Sequence, residues 1–413
     1  MKILHLNTYE KRGGAARAVG RLHNALKAEG VDSEVLVSLK ENNDDSIKLH
    51  HISLHKKKIK LSKTFLSLQA SPNPTQHSCN IFPSGIHKIV NQSNADIVHL
   101  HWVGDEFISI AEIKKITKPL VWTMHDMWAF CGNEHCDNVY SSGRYRQVYS
   151  RKNKPSVNTG KFDLDAWTWR RKLKHWKELK VHFVAPSQWM SKCLANSELF
   201  RHSSITVIPN CIDIDKFFPL DKIVAREKLG LSVSKKILLV GAVAGGGNPL
   251  KGYHLFVDAV KTLLRSQPDF EVDIAVFGGK PRVIAGINGA KVYDFGFIDD
   301  DEKIRQLYSA VDIYISPSMM ESFGQTVLES ISCGTPVVAF RVGGIKDIIK
   351  HKVNGYLANP FDAKDLSNGI RWIIESSTNH KNLSDDSRNI AVQRFQYKTV
   401  AKDHISLYRR IIG

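Results

Sequence analysis

The sequence predicts an α/β protein whose parallel sheets fall into two halves, and three stretches predict it. In residues 311–340 the apolar run VDIYI reads as a buried strand. A polar loop carrying Glu321 follows, then Val327, Leu328 and Ile331 fall at helical spacing from about Gly324. Gly334 ends that helix and Val337–Phe340 is a second apolar strand. Strand, loop, helix and strand make a βαβ unit of a parallel sheet. The chain opens in the same manner: Lys2 to Asn7 is a strand, a loop with Gly13 and Gly14 follows, a helix runs through Ala18, Leu22 and Leu26, and EVLV at 34–37 is the next strand. It begins again at Lys236, with ILLVGAV as a strand, a glycine-rich loop at 244–252, and a helix from Tyr253 to Ser266.

The 413 residues suffice for two to three domains, each with a sizeable core. Hydrophobic residues are 42% and charged ones 24%, which excludes a disordered chain. No apolar run approaches the ~20 residues that span a bilayer. The start, MKILHLNTYEKRGG, turns polar too soon for a signal peptide, so a cytoplasmic location is expected. Six cysteines without regular spacing make no disulfide framework and fit reduced thiols. A net charge of +17 implies an anionic partner: nucleic acid, anionic lipid or a phosphorylated substrate.

Taken in order, the first loop holds Gly13 and Gly14 without G-x-G-x-x-G; glycine there serves a tight βα turn or a close backbone approach to a ligand. Residues 40–85 are polar and lack strand periodicity. Within them 55–68 is a basic tract with interleaved apolar residues (Phe65, Leu66, Leu68), either a solvated helix face or an amphipathic helix for an anionic membrane surface. ADIVHLHW at 95–102 and LVWTM at 120–124 are strands. The second runs into His125 and Asp126, which place a histidine at a strand end with an acid beside it to orient it; His99 and His101 read as strand-packing or cleft-lining. Cys131, His135 and Cys136 lack the second short-spaced pair that a zinc site needs. Residues 151–180 carry ten Lys/Arg against three acids, with Trp167, Trp169 and Trp176 among them. That mix suits a lipid interface, or a helix with its tryptophans packed inward. No nucleic-acid module is recognisable, so a nucleic-acid partner is not expected. HFVAP at 182–186 and ITVIP at 205–209 are further strands, and 215–235 is an interdomain link. In the second half, Val272–Phe277 and VYDFGF at 292–297 are strands and Asp301–Ala310 a helix. Gly343 and Gly344 open another helix, Asn354-Gly355 makes a turn, and residues 401–412 form a closing amphipathic helix.

Ligands of open α/β sheets bind off the carboxyl ends of the strands, where Glu321 lies. The helix start at Phe323-Gly324 offers N–H groups and a positive dipole end for a phosphate. The glycine-rich loop ending in Lys251 adds backbone donors and a fixed cation, although it is no P-loop. Carboxylates repel phosphate but accept hydrogen bonds from sugar hydroxyls. The ligand these groups suit has an anionic middle and hydroxylated ends, as a nucleotide-sugar does.

The run ESFGQTVLE, residues 321–329, resembles the E-x7-E signature of retaining glycosyltransferases of the GT-B fold, family 4 type. N-C-I-D at 210–213 is similar to that family's N-G-I-D connector, with Cys211 in place of glycine. The resemblance covers almost the whole chain. It implies two Rossmann-like domains facing across a cleft: residues 1–215 on the acceptor side and 216–395 on the donor side, with a last helix at about 396–413 crossing back to the first. It implies that Glu321 meets the donor sugar and Glu329 the ribose, that Lys251 neutralises the diphosphate, and that His125 lies near the reacting centre. Glu321, His125 and Lys251 are then the catalytic set. The donor-binding set is Gly13, Gly14, Asn248, Lys251, Phe297, Ile298, Glu321, Phe323, Gly324, Gln325 and Glu329. The family's arginine before the loop lysine is missing; Asn248 is the nearest polar residue, and Arg282 is a candidate replacement. The resemblance further implies no cofactor and no metal, a UDP- or GDP-linked donor and a saccharide or lipid-linked acceptor. The basic tracts 55–68 and 151–180 add an expected contact with an anionic membrane, and a basic transferase at such a surface suits surface polysaccharide assembly. A nucleotide-sugar epimerase of the same fold and a non-catalytic sugar- or nucleotide-binding relative are the alternatives.

Overall fold

A computed structural model describes residues 1–69, 71, 73, 75–137, 143–150, 153, 162–241, 249–267, 270–279, 290–375 and 380–413. The chain divides into two compact units: Met1–Asn210 with Val400–Gly413, and Cys211–Thr399.

The first unit contains β1 (Lys2–Leu6), α1 (Gly13–Ala28), β2 (Asp32–Val37), β3 (Ile47–Leu49), α2 (His55–Leu66), α3 (Ile86–Gln92), β4 (Ile97–Leu100), α4 (Ile110–Ile113), β5 (Leu120–Thr123), α5 (Leu164–Trp176), β6 (His182–Ala185), α6 (Gln188–Ala195) and β7 (Ile205–Val207). Its strands form one sheet in the order β3-β2-β1-β4-β5-β6-β7, every pair parallel. β1, β4 and β5 are almost wholly buried, the pattern of a parallel sheet covered on both faces. Strand order reverses between β1 and β4, which makes that junction the topological switch point.

The second unit holds α7 (Lys222–Leu229), β8 (Lys236–Gly241), α8 (Tyr253–Ser266), β9 (Val272–Phe277), β10 (Val292–Asp294), α9 (Asp301–Ala310), β11 (Ile313–Ser316), α10 (Gln325–Ser332), β12 (Val337–Phe340), α11 (Ile345–Ile348), β13 (Gly355–Ala358), α12 (Ala363–Glu375) and α13 (His380–Phe395). The final helix is α14 (Tyr397–Ile412), which from Val400 belongs to the first unit. The sheet order is β10-β9-β8-β11-β12-β13, again all parallel, with its switch point between β8 and β11. Alternate residues of one strand feed two separate cores: Leu239, Tyr314, Val337 and Ala339 pack on one face, and Leu238, Val240, Ile313, Ile315 and Val338 on the other.

The structure adds elements that residue patterning did not show. β3 is three residues long, too short to display a period. β13 begins at Gly355, whose Cβ position would lie 2.3 Å from the Val337 carbonyl oxygen; glycine there serves strand approach as well as the preceding turn. The expected strand 292–297 stops at Asp294, because Gly296 turns to a φ of 60° and its N–H is bound by the Asp294 carboxylate at 2.9 Å.

Candidate active site

In the second unit, Lys251 and Glu321 come together at the β8/β11 switch point. Lys251 ends a short turn, Pro249–Lys251, before α8; Glu321 lies in the loop after β11. Their side chains form an ion pair, and Glu321 Oε1 also accepts from Ser318 Oγ at 3.1 Å. Two backbone devices hold the loops in register. Met319 N–H donates to the Leu250 carbonyl at 2.8 Å, and Gly252, at a φ of 66°, lies so close that a Cβ would sit 1.8 Å from the Pro317 carbonyl oxygen. From the other side, Gly344 N–H donates to the Glu321 carbonyl at 2.9 Å, and a Cβ on Gly343 would fall 1.9 Å from that same oxygen. Sequence reading put Gly252 in a glycine-rich phosphate loop and took Gly343 and Gly344 for a helix start. Their role as close-packing points shows only once the loops are adjacent.

Gly324 caps α10 at a φ of 113°, and Gln325 opens the helix half-buried. Phe323 points into the core, edge-on to Phe395 at 5.9 Å, so only its backbone could serve a ligand. Glu329 is 0% exposed and accepts from the Tyr308 hydroxyl at 3.4 Å. Tyr314, whose hydroxyl donates to Thr326 Oγ1 at 2.9 Å, is raised in pKa by burial and by the charges of Glu321 and Glu329. The two acids thus act on one locality, but Glu329 is sealed within the unit while Glu321 keeps 19% of its side chain exposed. Phe297 is 79% exposed, whereas Ile298 packs into the core. Asn248 and Arg282 lie outside the described residues.

In the first unit, Gly13 and Gly14 begin α1 at the carboxyl end of β1. Both are exposed, with open space where a Cβ would be, and Gly13 has a φ of 88°. His125 follows β5 and lines a small cleft with His101, Trp102, Gly104, Asp126 and His135. The expected role of Asp126 in orienting His125 is not what the structure displays. Its carboxylate accepts from His135 at 2.6 Å and from the Trp128 N–H at 2.9 Å. Burial alone would raise the Asp126 carboxyl, but His135 and these hydrogen bonds hold it below the ordinary range. The partner of His125 Nε2 is His101 Nδ1, at 3.0 Å. His101 therefore does more than line the cleft. Burial pushes His125 down to about 4, so it is neutral at pH 7.

The tryptophan-rich segment is corrected in part. Trp169 and Trp176 are buried in the unit and cannot anchor at an interface. Lys172 is buried too. It donates to the carbonyls of Cys131 at 3.0 Å and Gly132 at 2.6 Å and to that of Trp128, and it stands 4.0 Å over the Trp128 ring. Trp167 alone is exposed; it meets Phe65 of α2 edge-on at 5.4 Å and carries Arg171 over its face at 4.6 Å. Arg151, Lys152, Lys154 and Lys161 lie outside the described residues. Among the described residues, the group with metal-ligand spacing is His5, His99 and His101, and no member of the Cys131–Cys136 loop belongs to it. No helix among the described residues is long and apolar enough to cross a membrane.

Two family models match the chain in succession: "Glycosyltransferase Family 4" over residues 12–216 and "Glycosyl transferases group 1" over 221–390. Curated relatives include a D-inositol 3-phosphate glycosyltransferase of Geodermatophilus obscurus, 32% identical over 182 residues, which are 41% of this chain and 40% of the relative. A second, from Catenulispora acidiphila, is 31% identical over 223 residues, half of each chain. The chain spans about half the length of the curated relatives it matches. Among solved structures, sucrose-phosphate synthase from Thermosynechococcus elongatus aligns with a TM-score of 0.68 at 17% identity, over 100% of this chain and 99% of that one. Anabaena HepE in complex with UDP and glucose aligns at 0.67 and 19% identity, over 99% and 100%. At these identities the solved structures establish the fold, which is GT-B.

Proposed function

We propose a reaction for this chain, which belongs to the group 1, family 4 type of glycosyltransferases. It moves a hexose from a UDP- or GDP-linked donor to a saccharide or lipid-linked saccharide, with retention at the anomeric carbon. The observation that carries the reading is the pairing of Lys251 with Glu321 between two loops fastened together at a switch point. When the donor enters, Lys251 turns to the diphosphate and offsets its charge. Glu321 accepts hydrogen bonds from sugar hydroxyls, and the N-terminus of α10 faces the phosphates. The bond from the anomeric carbon to the leaving phosphate breaks on the face where the acceptor oxygen bonds, and a phosphate oxygen takes the acceptor's proton. Glu321 positions the sugar and does not attack it. Within the first unit, Gly13, Gly14 and neutral His125 are the groups offered to a ligand. Neutral imidazole can bond a hydroxyl without competing for the diphosphate.

The HepE complex with UDP favours a uridine donor, and the inositol-phosphate relatives favour an anionic acceptor, in keeping with a net charge of +17. Attachment to an anionic membrane surface is part of the reading. On α2 and the loop after it, Leu61 and Leu68 are exposed beside Lys57, Lys60 and Lys63, and Phe65 meets exposed Trp167. Assembly of a lipid-linked surface polysaccharide suits such a surface.

Screening nucleotide-sugars for thermal stabilisation of the purified chain tests the reading. A true donor at 100 times its Kd adds about 2.7 kcal/mol. The expected result is stabilisation by one UDP- or GDP-sugar, with slow release of free sugar into water. Stabilisation without any hydrolysis or transfer would make the chain a binding protein; no response to any nucleotide-sugar would refute the site.

A further inference from the structure

Behind His125 the first unit buries a line of imidazoles. His5 on β1, His99 on β4 and His101 just past it are 0%, 0% and 3% exposed. His5 pairs with His99 in the parallel register, so the three rings share one face of the sheet. His5 Nδ1 lies 2.9 Å from His101 Nε2, and His101 Nδ1 lies 3.0 Å from His125 Nε2. The rings of His101 and His125 are stacked, 5.2 Å apart. His99 stands to one side: Tyr408 Oη of α14 holds its Nδ1 and Thr123 Oγ1 its Nε2, each at 2.7 Å. The line is thus His5–His101–His125, running from the interior to the cleft.

The hydrogen bonds along this line must all point the same way. Each ring is buried; burial holds all three below their ordinary pKa, and for His125 it outweighs the opposing charge of Asp126, so each is a neutral imidazole with one N–H and one lone pair. If His125 donated inward from Nε2, His101 would donate from Nε2 to His5 Nδ1, and His5 would be left with an N–H on Nε2. That atom is buried with no hydrogen-bond partner among the described residues. An orphaned buried N–H is rare and costly. The opposite direction leaves only a lone pair there.

We infer that His101 and His5 are positioning residues that fix His125 in one tautomer: His5 Nδ1–H donates to His101 Nε2, His101 Nδ1–H donates to His125 Nε2, and the proton of His125 resides on Nδ1. The catalytic-side imidazole is thereby presented as a donor of fixed orientation. Three histidines so close also invite a metal, but binding one to His5, His99 and His101 would break the bonds that Tyr408, Thr123 and His125 make. It would also bury a cation with no carboxylate in the group. The role in turnover rests on the placement of the reaction at His125; the tautomer does not.

Nitrogen-15 spectra of the full chain labelled at histidine, at pH 7.5, read the tautomer directly. The expected result is the Nδ1–H form for His125 in the wild type and its loss in His101→Leu. Turnover in His101→Leu should fall roughly tenfold, the scale of one lost hydrogen bond. His101→Asn, whose amide N–H falls near the Nδ1 position, should recover most of both signals and shows that a loss in the leucine variant is not misfolding. The inference is overturned by an Nε2–H tautomer of His125 in the wild type. It is equally overturned by an unchanged tautomer in His101→Leu, by normal turnover of that variant where His125→Ala is inactive, or by one equivalent of zinc in the purified protein. Normal turnover in His125→Ala instead refutes the siting of the reaction there, and the spectra separate that failure from this one.

Discussion

At the scale of single residues, the glycines divide by what surrounds them. A Cβ at Gly252 or Gly343 meets a backbone carbonyl at under 2 Å, and both residues have positive φ. Gly252→Ala and Gly343→Ala are therefore expected to lower stability by more than about 2 kcal/mol and to disrupt the Lys251–Glu321 pairing, measured by denaturant unfolding and turnover together. Gly14 has ordinary φ and open space. Gly14→Ala should leave stability within about 0.5 kcal/mol of wild type but raise the KM for donor or acceptor, because only a ligand approaching the backbone meets the new methyl. An unchanged KM would remove Gly14 from the site. The sequence named Lys251, Glu321 and His125 because a charged or titratable residue just past a strand end is visible in one dimension. It could not show that Asp126 turns to His135 while His101, 24 positions upstream, reaches His125: that bond depends on two strands lying side by side.

At the scale of elements, α5 illustrates why composition misleads. Its Trp and Lys/Arg content reads as an interface helix, yet a 3.6-residue period sends Trp169, Lys172 and Trp176 to the same inner face. Lys172 there ties α5 to the loop after β5 through three carbonyl acceptors. Lys172→Met keeps the stem but strands those carbonyls, and should destabilise the chain by about 1–3 kcal/mol in denaturant unfolding. α2 behaves as its pattern suggests, with one buried residue and an outward basic and apolar surface. Cosedimentation with vesicles of anionic lipid should fall several-fold for Leu61→Glu with Trp167→Ala and be weakened by salt; binding unaltered by both changes would exclude this surface. The βαβ unit of β11, α10 and β12 was legible almost to the residue, since a buried strand and an amphipathic helix differ in period. β3 was not, being three residues long, nor was β13, whose first residue, Gly355, read as part of a turn.

For the molecule as a whole, the two-half α/β architecture was legible because each half restarts with an apolar strand, a glycine loop and a helix. The fold also sets an acid limit. Burial holds His23, His125 and His404 down to about 4, and lowers His5, His99 and His101 in the same direction, all in the first unit. The unfolded chain takes up protons on these rings below about pH 6.5, whereas in the folded unit His23, His125 and His404 do not until about pH 4. Stability therefore falls as pH falls through that window, by about 2 kcal/mol for each of the three between pH 6.5 and 5. Seven of the eight tryptophans lie in this unit, so acid titration of tryptophan fluorescence should show it opening near pH 5; a flat signal to pH 4 would contradict the neutral core. The most direct measurement for the central claim, that Lys251 and Glu321 together hold one activated sugar, is steady-state turnover of the donor by folded Glu321→Ala and Lys251→Ala. The account predicts a loss of more than ~100-fold in each, the scale of removing a charge-stabilising group. Near-normal turnover in both would contradict it.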